Sequence, residues 1–202
     1  MEVISRLRRL LRELLPGGDT TLPRRPRRVT DSLVRGGTDG GEVVQSLVDC
    51  GVLVQRGEEV ELSEGFRRQW ENEMEMLADL DEDVFAAAVT EVGPEVEDTR
   101  AVTDRSRKFV VVDIRGDEDP LWLSRPVAIA EIAALRAFSE AVPEEHREAA
   151  ARPLRLFLDE CPDCGGRVDF VNADNWALPT GPKEEADEIL FCQDCNERLY
   201  WF

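Results

Sequence analysis

Two Cys-x-x-Cys pairs constrain this 202-residue sequence more than any other feature. Cys161-Pro162-Asp163-Cys164 and Cys192-Gln193-Asp194-Cys195 are short loops, each able to aim two sulfurs at one point, and 27 residues separate them. Four thiolates in that order suit a tetrahedral Zn2+ site with no open position, which would staple a small sheet rather than perform chemistry. Dithiol redox chemistry is a rival, but it wants one pair at a helix N-terminus and leaves the other pair unexplained. Iron–sulfur ligation favours tighter spacing. Gly165 and Gly166 relieve crowding where the backbone approaches the metal. The fifth cysteine, Cys50, ends an apolar helical stretch and reads as a core residue, not a ligand.

The stretch 159–202 resembles zinc ribbons, in which each knuckle ends one strand and starts another. On that resemblance, Arg167 to Val171 leaves the first knuckle, Glu188 to Phe191 enters the second, and Arg198 to Phe202 leaves it. The long spacing implies an enlarged loop around Asn172 to Ala186. Trp176 in that loop, with Tyr200 and Trp201, offers aromatic faces for a partner or for stacking, against the plainer reading of packing within the ribbon.

The formal charge of -18, from 43 acidic and 25 basic residues, excludes a protein that coats nucleic acid with its whole surface. Only Lys108 and Lys183 are lysines. Abundant acids with almost no lysine resemble the cytoplasmic proteins of halophilic archaea. In molar salt the Debye length shrinks to about 3 Å, so only close contacts count. The basic charge is segregated: residues 1–36 hold nine arginines and four acids, +5, which leaves -23 on residues 37–202. Val3, Ile4, Leu7, Leu10, Leu11, Leu14 and Leu15 recur at helical spacing among arginines, and Pro16-Gly17-Gly18 ends that amphipathic helix. Arg24, Arg25, Arg27 and Arg28, interrupted by Pro26, form an extended basic linker whose guanidinium groups suit bidentate phosphate contact or a fold back onto the acidic body. No signal-peptide core is expected, and the most apolar stretch, Val127 to Phe138, is too short to span a bilayer, so a cytoplasmic location is expected.

From Thr30 a helical segment around Asp31 to Arg35, a glycine-rich break and a helix from about Glu42 to Asp49 lead into Gly51 to Ser63, where apolar residues alternate about Arg56-Gly57-Glu58 as in a hairpin. Leu47 to Val54, the turn and Val60 to Ser63 resemble a winged-helix recognition helix running into its wing. The resemblance implies a DNA-reading helix, yet Glu42 to Cys50 holds no arginine or lysine, which points to a protein contact instead. Ser63 then caps one long helix with Phe66, Trp70, Leu77, Leu80, Val84 and Ala88 on one face, closed by Gly93-Pro94. A second hairpin pairs Phe109 to Ile114 with Leu121 to Leu123. Ser124 caps an alanine-rich helix from about Pro126 to Ala141, and Pro143 opens another to about Phe157, which Pro153 bends or splits.

The sum is an α+β chain with a basic arm (1–29), a winged-helix-like module (30–93), a hairpin plus two helices (94–158) and a four-cysteine zinc ribbon (159–202), similar to winged-helix and zinc-ribbon proteins of halophilic archaea. His146, the sole histidine, lies among acids on a helix surface, and neither a phosphate-binding Gly-rich loop nor a Gly-x-Ser-x-Gly elbow occurs. A catalytic role is therefore not expected. The expected function is a non-enzymatic binding protein of transcription or RNA-related processes, held to nucleic acid by Arg24, Arg25, Arg27 and Arg28. The alternative is a protein–protein adaptor with no nucleic-acid contact.

Overall fold

The computed structural model describes residues 40–57, 59–91, 95–117, 119–138, 140, 142–172 and 188–201. The amphipathic helix, the Arg24 to Arg28 linker, the Asp31 to Arg35 segment and Trp176 lie outside these residues. The architecture is mixed α+β, with three small antiparallel sheets.

Helix α1 (Gly40–Asp49) buries Val43 and Leu47 and stops at a Schellman turn: Val52 N–H donates to Leu47 O at 2.9 Å and Gly51 N–H to Val48 O at 3.0 Å. Gly51 takes φ +72°, the left-handed geometry that reverses the chain. The apolar partners flanking the turn, Leu47 and Val52, are both buried. Strands β1 (Leu53–Arg56) and β2 (Glu59–Leu62) then pair in the expected hairpin, with Leu53 opposite Leu62.

Ser63 caps helix α2 (Glu64–Ala78) by accepting from Phe66 N–H at 3.3 Å, as expected. Phe66, Trp70, Met74 and Leu77 form its buried stripe. The single long helix expected beyond this point is instead two. The chain breaks at Asp79 to Asp81 and restarts as α3 (Glu82–Thr90). In a continuous helix Val84 would fall about 20° from Leu77 and Phe85 about 80° away. The break rotates the phase so that Phe85 is buried and Val84 is 53% exposed. The larger aromatic takes the core position.

Strand β3 (Val96–Asp104), unforeseen in the sequence, pairs with β4 (Arg107–Ile114), which pairs with β5 (Leu121–Ser124). β4 is the apolar central strand, whereas β3 is an edge strand rich in charge. Its tight turn uses Arg105 and Ser106, both at positive φ (49° and 71°).

Helix α4 (Arg125–Ala137) is the hub. Apart from Leu135 and Arg136 every residue in it is buried, including Arg125 and Glu131. Helix α2 lies along one side and α5 (Glu144–Leu154) along another, and strands β4 and β5 also contact it. Its alanines let these neighbours approach closely, and Trp70 Nε1 donates to Ala130 O at 2.9 Å. Ser124 stands at the N-cap position, but its hydroxyl makes no capping bond. Pro153 falls in the last turn of α5, which passes into a 3-10 turn at Arg155–Phe157.

Strands β6 (Val168–Asn172), β7 (Glu188–Cys192) and β8 (Arg198–Trp201) form the third sheet, with β7 central. Among the described residues one continuous core runs from Val43 to Tyr200.

Candidate metal centre

The two knuckles are built alike. Cys161 N–H donates to Gly166 O at 2.8 Å and Gly165 N–H returns to Cys161 O at 2.8 Å. In the second, Cys192 N–H donates to Glu197 O and Asn196 N–H to Cys192 O, both at 3.0 Å. The fourth residue after the first cysteine is left-handed in each, Gly165 at φ 69° and Asn196 at φ 57°. Glycine and asparagine are the residues that enter this region at least cost.

The halves also grip each other. Gln193 N–H donates to Arg167 O at 2.9 Å and its side chain to Asp169 at 2.6 Å. Gly166 faces the second knuckle so closely that a β-carbon there would lie 2.8 Å from Cys192 Sγ and 2.5 Å from Asp194 Oδ2. This is the crowding that the sequence anticipates around Gly165-Gly166, located at the second glycine.

Together the folds bring Cys161, Cys164, Cys192 and Cys195 into one cluster whose sulfurs all lie within 4.8 Å of one another. Across the knuckles, Cys161 Sγ is 3.9 Å from Cys195 Sγ and Cys164 Sγ is 3.5 Å from Cys192 Sγ. A tetrahedron of sulfurs at the usual zinc–sulfur length of ~2.3 Å has edges of about 3.8 Å. The donor set is soft, closed and sized for Zn2+. Cys50 is half-buried at the end of α1 and takes no part in the cluster.

The electrostatics agree with a cation at the centre. Burial, and then the neighbouring Cys195 and Cys164, push the Cys161 thiol far above its ordinary value. Burial again comes first for Cys195, pushed up to about 12 with help from Cys192 and Cys164. Burial also acts upward on Cys192, but N–H groups of Cys195 and Asp194 and the thiols of Cys195 and Cys164 outweigh it and lower the value. Sulfurs packed this closely resist becoming thiolates together unless positive charge is supplied, and a bound divalent cation reverses that resistance.

Body residues hold the two knuckles from outside. Arg125 Nε meets Asp163 Oδ1 at 2.9 Å and Arg107 Nε meets Glu197 Oε1 at 3.1 Å, so an acid of each knuckle is engaged by a body arginine. Burial raises the Glu197 carboxyl, against the opposing pull of Arg107 and Arg198. Arg155, fully buried, donates to Leu199 O on β8 and lies 3.2 Å from Glu131 Oε1 on α4, an ion contact whose N–H is not aligned as a hydrogen bond. Tyr200, read in the sequence as a partner contact or as packing within its own unit, is 2% exposed, with the guanidinium carbons of Arg152 and Arg155 each 5.2 Å from its ring centroid. Trp201 continues β8 in the same strand. None of the body arginines was singled out in the sequence. The signal available was Arg125 and Glu131 set in an otherwise apolar run from Leu121 to Ala134, a pattern that marks buried charge in need of partners.

Residues 42–156, more than half of the sequence, match the family described as "Family of unknown function (DUF8054) central domain". The chain belongs to the DUF8054 family. The match runs from within α1 through α5 and stops before Cys161, so the cysteine cluster lies beyond the DUF8054 central domain while Arg107, Arg125 and Arg155 lie inside it. No curated protein and no solved structure matches the chain. Among the described residues, no helix is long and apolar enough to cross a membrane.

Proposed function

We propose that this chain is a zinc-stapled, non-enzymatic binding protein in which Cys161, Cys164, Cys192 and Cys195 hold a structural Zn2+ and the arginines of residues 24–28 contact nucleic acid in transcription or RNA-related work. The observation that carries the metal reading is the four-sulfur cluster of tetrahedral size. Four protein ligands leave no place for substrate, which supports a structural rather than a catalytic metal.

The support for placing nucleic-acid contact in the arm is the state of several body cations. Arg56, Arg100, Lys108 and Arg115 each face a carboxylate within 3.3 Å, and Arg125 and Arg155 are buried. Phosphate neutralisation by the body is correspondingly weak, and Arg24, Arg25, Arg27 and Arg28 are the concentrated basic charge. Helix α1 followed by a hairpin suits the winged-helix reading, but its exposed residues are Gly41, Glu42, Gln45 and Asp49. That acidic face favours a second reading, a protein adaptor that uses a winged-helix surface against a basic partner.

The test is binding of pooled genomic DNA and total RNA in molar potassium chloride by the whole chain and by an arginine-arm variant with Arg24, Arg25, Arg27 and Arg28 changed to glutamine. Binding lost in the variant supports the first reading. No binding by either, with zinc bound at one equivalent, moves the assignment to the adaptor.

A further inference from the structure

Arg125 opens α4, 36 residues before Cys161, yet its side chain reaches into the first knuckle. It is 4% exposed. Its Nε binds Asp163 Oδ1 at 2.9 Å, and its Nη2 is shared between Ala78 O at 2.8 Å and Leu80 O at 2.9 Å, the carbonyls released where α2 breaks before α3. Its Cζ lies 4.8 Å from the ring centroid of Phe85, the residue that the break turns inward. A guanidinium this buried requires a carboxylate nearby, and Asp163, between two cysteines of the cluster, is that partner.

From this geometry we infer that Arg125 is a positioning residue of the metal centre, and that metal occupancy and closure of the α2–α3 break around Arg125 are two ends of one coupling. The inference rests on the proposed zinc centre. With metal bound, the first knuckle is rigid and Asp163 is presented to Arg125 at a fixed place. Without it, the two loops lose their common anchor, Asp163 is freed to move, and Arg125 keeps only neutral carbonyls and a ring. Thermodynamic linkage makes the effect reciprocal: whatever factor the metal contributes to closing the break, the closed break returns to metal affinity. Arg107, which holds Glu197 in the second knuckle, is half exposed and screened, so its share is smaller.

The experiment uses the whole chain with zinc and cobalt(II) as probes, comparing Arg125→Gln and Arg125→Lys with a control, Arg136→Gln, at a half-buried residue whose contact to the exposed Glu91 is 3.8 Å. Zinc affinity is read by competition with a chromophoric chelator, the centre by the visible cobalt spectrum, and the break by amide exchange at residues 77–82. The expected result is a loss of zinc affinity of roughly tenfold in Arg125→Gln, within the usual range of allosteric coupling. The cobalt spectrum stays tetrahedral, Arg125→Lys recovers part of the affinity, and the control is unchanged. Stripping metal from the unaltered chain is expected to raise exchange at 77–82 as well as in the ribbon. Zinc affinity within twofold of the unaltered chain in folded Arg125→Gln overturns the inference, as does exchange at 77–82 that ignores the metal. Should Arg125→Gln fail to fold, Asp163→Asn reads the same coupling: zinc-loaded Asp163→Asn loses protection at 77–82, and unchanged protection overturns the inference. An unaltered chain that binds neither metal overturns the metal centre itself, so the two failures are told apart.

Discussion

Replacing Arg155 with methionine tests the interior most severely. Arg155 and Glu131 both have fully buried side chains, 3.2 Å apart, and Arg155 also donates to Leu199 O and lies over Tyr200. Removing one member of a buried ion pair strands the other charge in a low dielectric and costs about 3–5 kcal/mol. The lost ring contact adds ~1 kcal/mol. Against a total stability of about 5–15 kcal/mol this is a large share. In a chain of this size the summed loss corresponds to a fall in Tm of roughly 8–24 °C. The double variant Glu131→Leu with Arg155→Met removes both charges, and apolar replacement of a buried pair is often neutral, so most of the loss is expected to return. The assay is urea and thermal unfolding followed by circular dichroism with zinc in excess. Both midpoints are to be repeated in dilute and molar potassium chloride, because a dry pair is little affected by salt. A loss below about 1 kcal/mol in Arg155→Met, or a double variant as unstable as the two single variants summed, would refute the reasoning.

Gly166→Ala places a methyl group 2.8 Å from Cys192 Sγ; the expected outcome is zinc affinity reduced about tenfold or more in a chelator competition, an energy of ~1.4 kcal/mol and modest for such a clash. For the metal-free chain, the raised values of Cys161 and Cys195 mean that the fold binds protons the unfolded chain releases. Their stabilisation is full below the ordinary thiol value of 9.0 and is lost as pH rises toward the Cys195 value of about 12, with the lowered Cys192 opposing in part. The urea midpoint of chelator-treated protein should therefore fall as pH rises from about 9 toward 12, whereas the zinc-loaded chain should weaken in the other direction, as acid competes for the sulfurs. A midpoint of the stripped chain that rises with pH would count against the crowded-thiol account. Changing Arg105-Ser106 to Asn-Gly supplies residues that favour the two positive φ angles of that turn; a gain of about 1 kcal/mol in urea unfolding is expected.

The elements readable in the sequence were those with local chemistry. The cysteine pairs, the Ser63 cap and the β1–β2 hairpin each act through residues within a few positions, and each is found in the structure where the sequence puts it. The α2–α3 break was not readable, because apolar spacing alone continues through Leu80 to Val84. What decides it is the competition of Phe85 for the core and of Arg125 for the carbonyls of Ala78 and Leu80, both tertiary effects. Strand β3 was missed for a related reason. As an edge strand it shows charge at Glu97, Asp98 and Arg100 rather than clean alternation, and its turn lacks the Asn-Gly signal. Tyr200 reads in the sequence as either a partner contact or a packed aromatic, and the arginines that cover it, Arg152 and Arg155, come from more than 40 residues earlier, beyond the reach of local pattern. In the candidate site, the ligands were legible and their supports were not.

The buried position of Glu131 also sets an order of assembly during synthesis. Its partner Arg155 follows 24 residues later, and the β8 carbonyl of Leu199 that Arg155 meets follows after a further 44. A ribosome delivers these in sequence, N-terminal parts first. While α2 and α4 are already free to meet through Trp70 and Ala130, the flank of α4 bearing Glu131 stays uncovered until both later segments emerge. On this order the flank of α4 around Glu131 is covered late, and the interior closes at β8, the strand that follows the second knuckle.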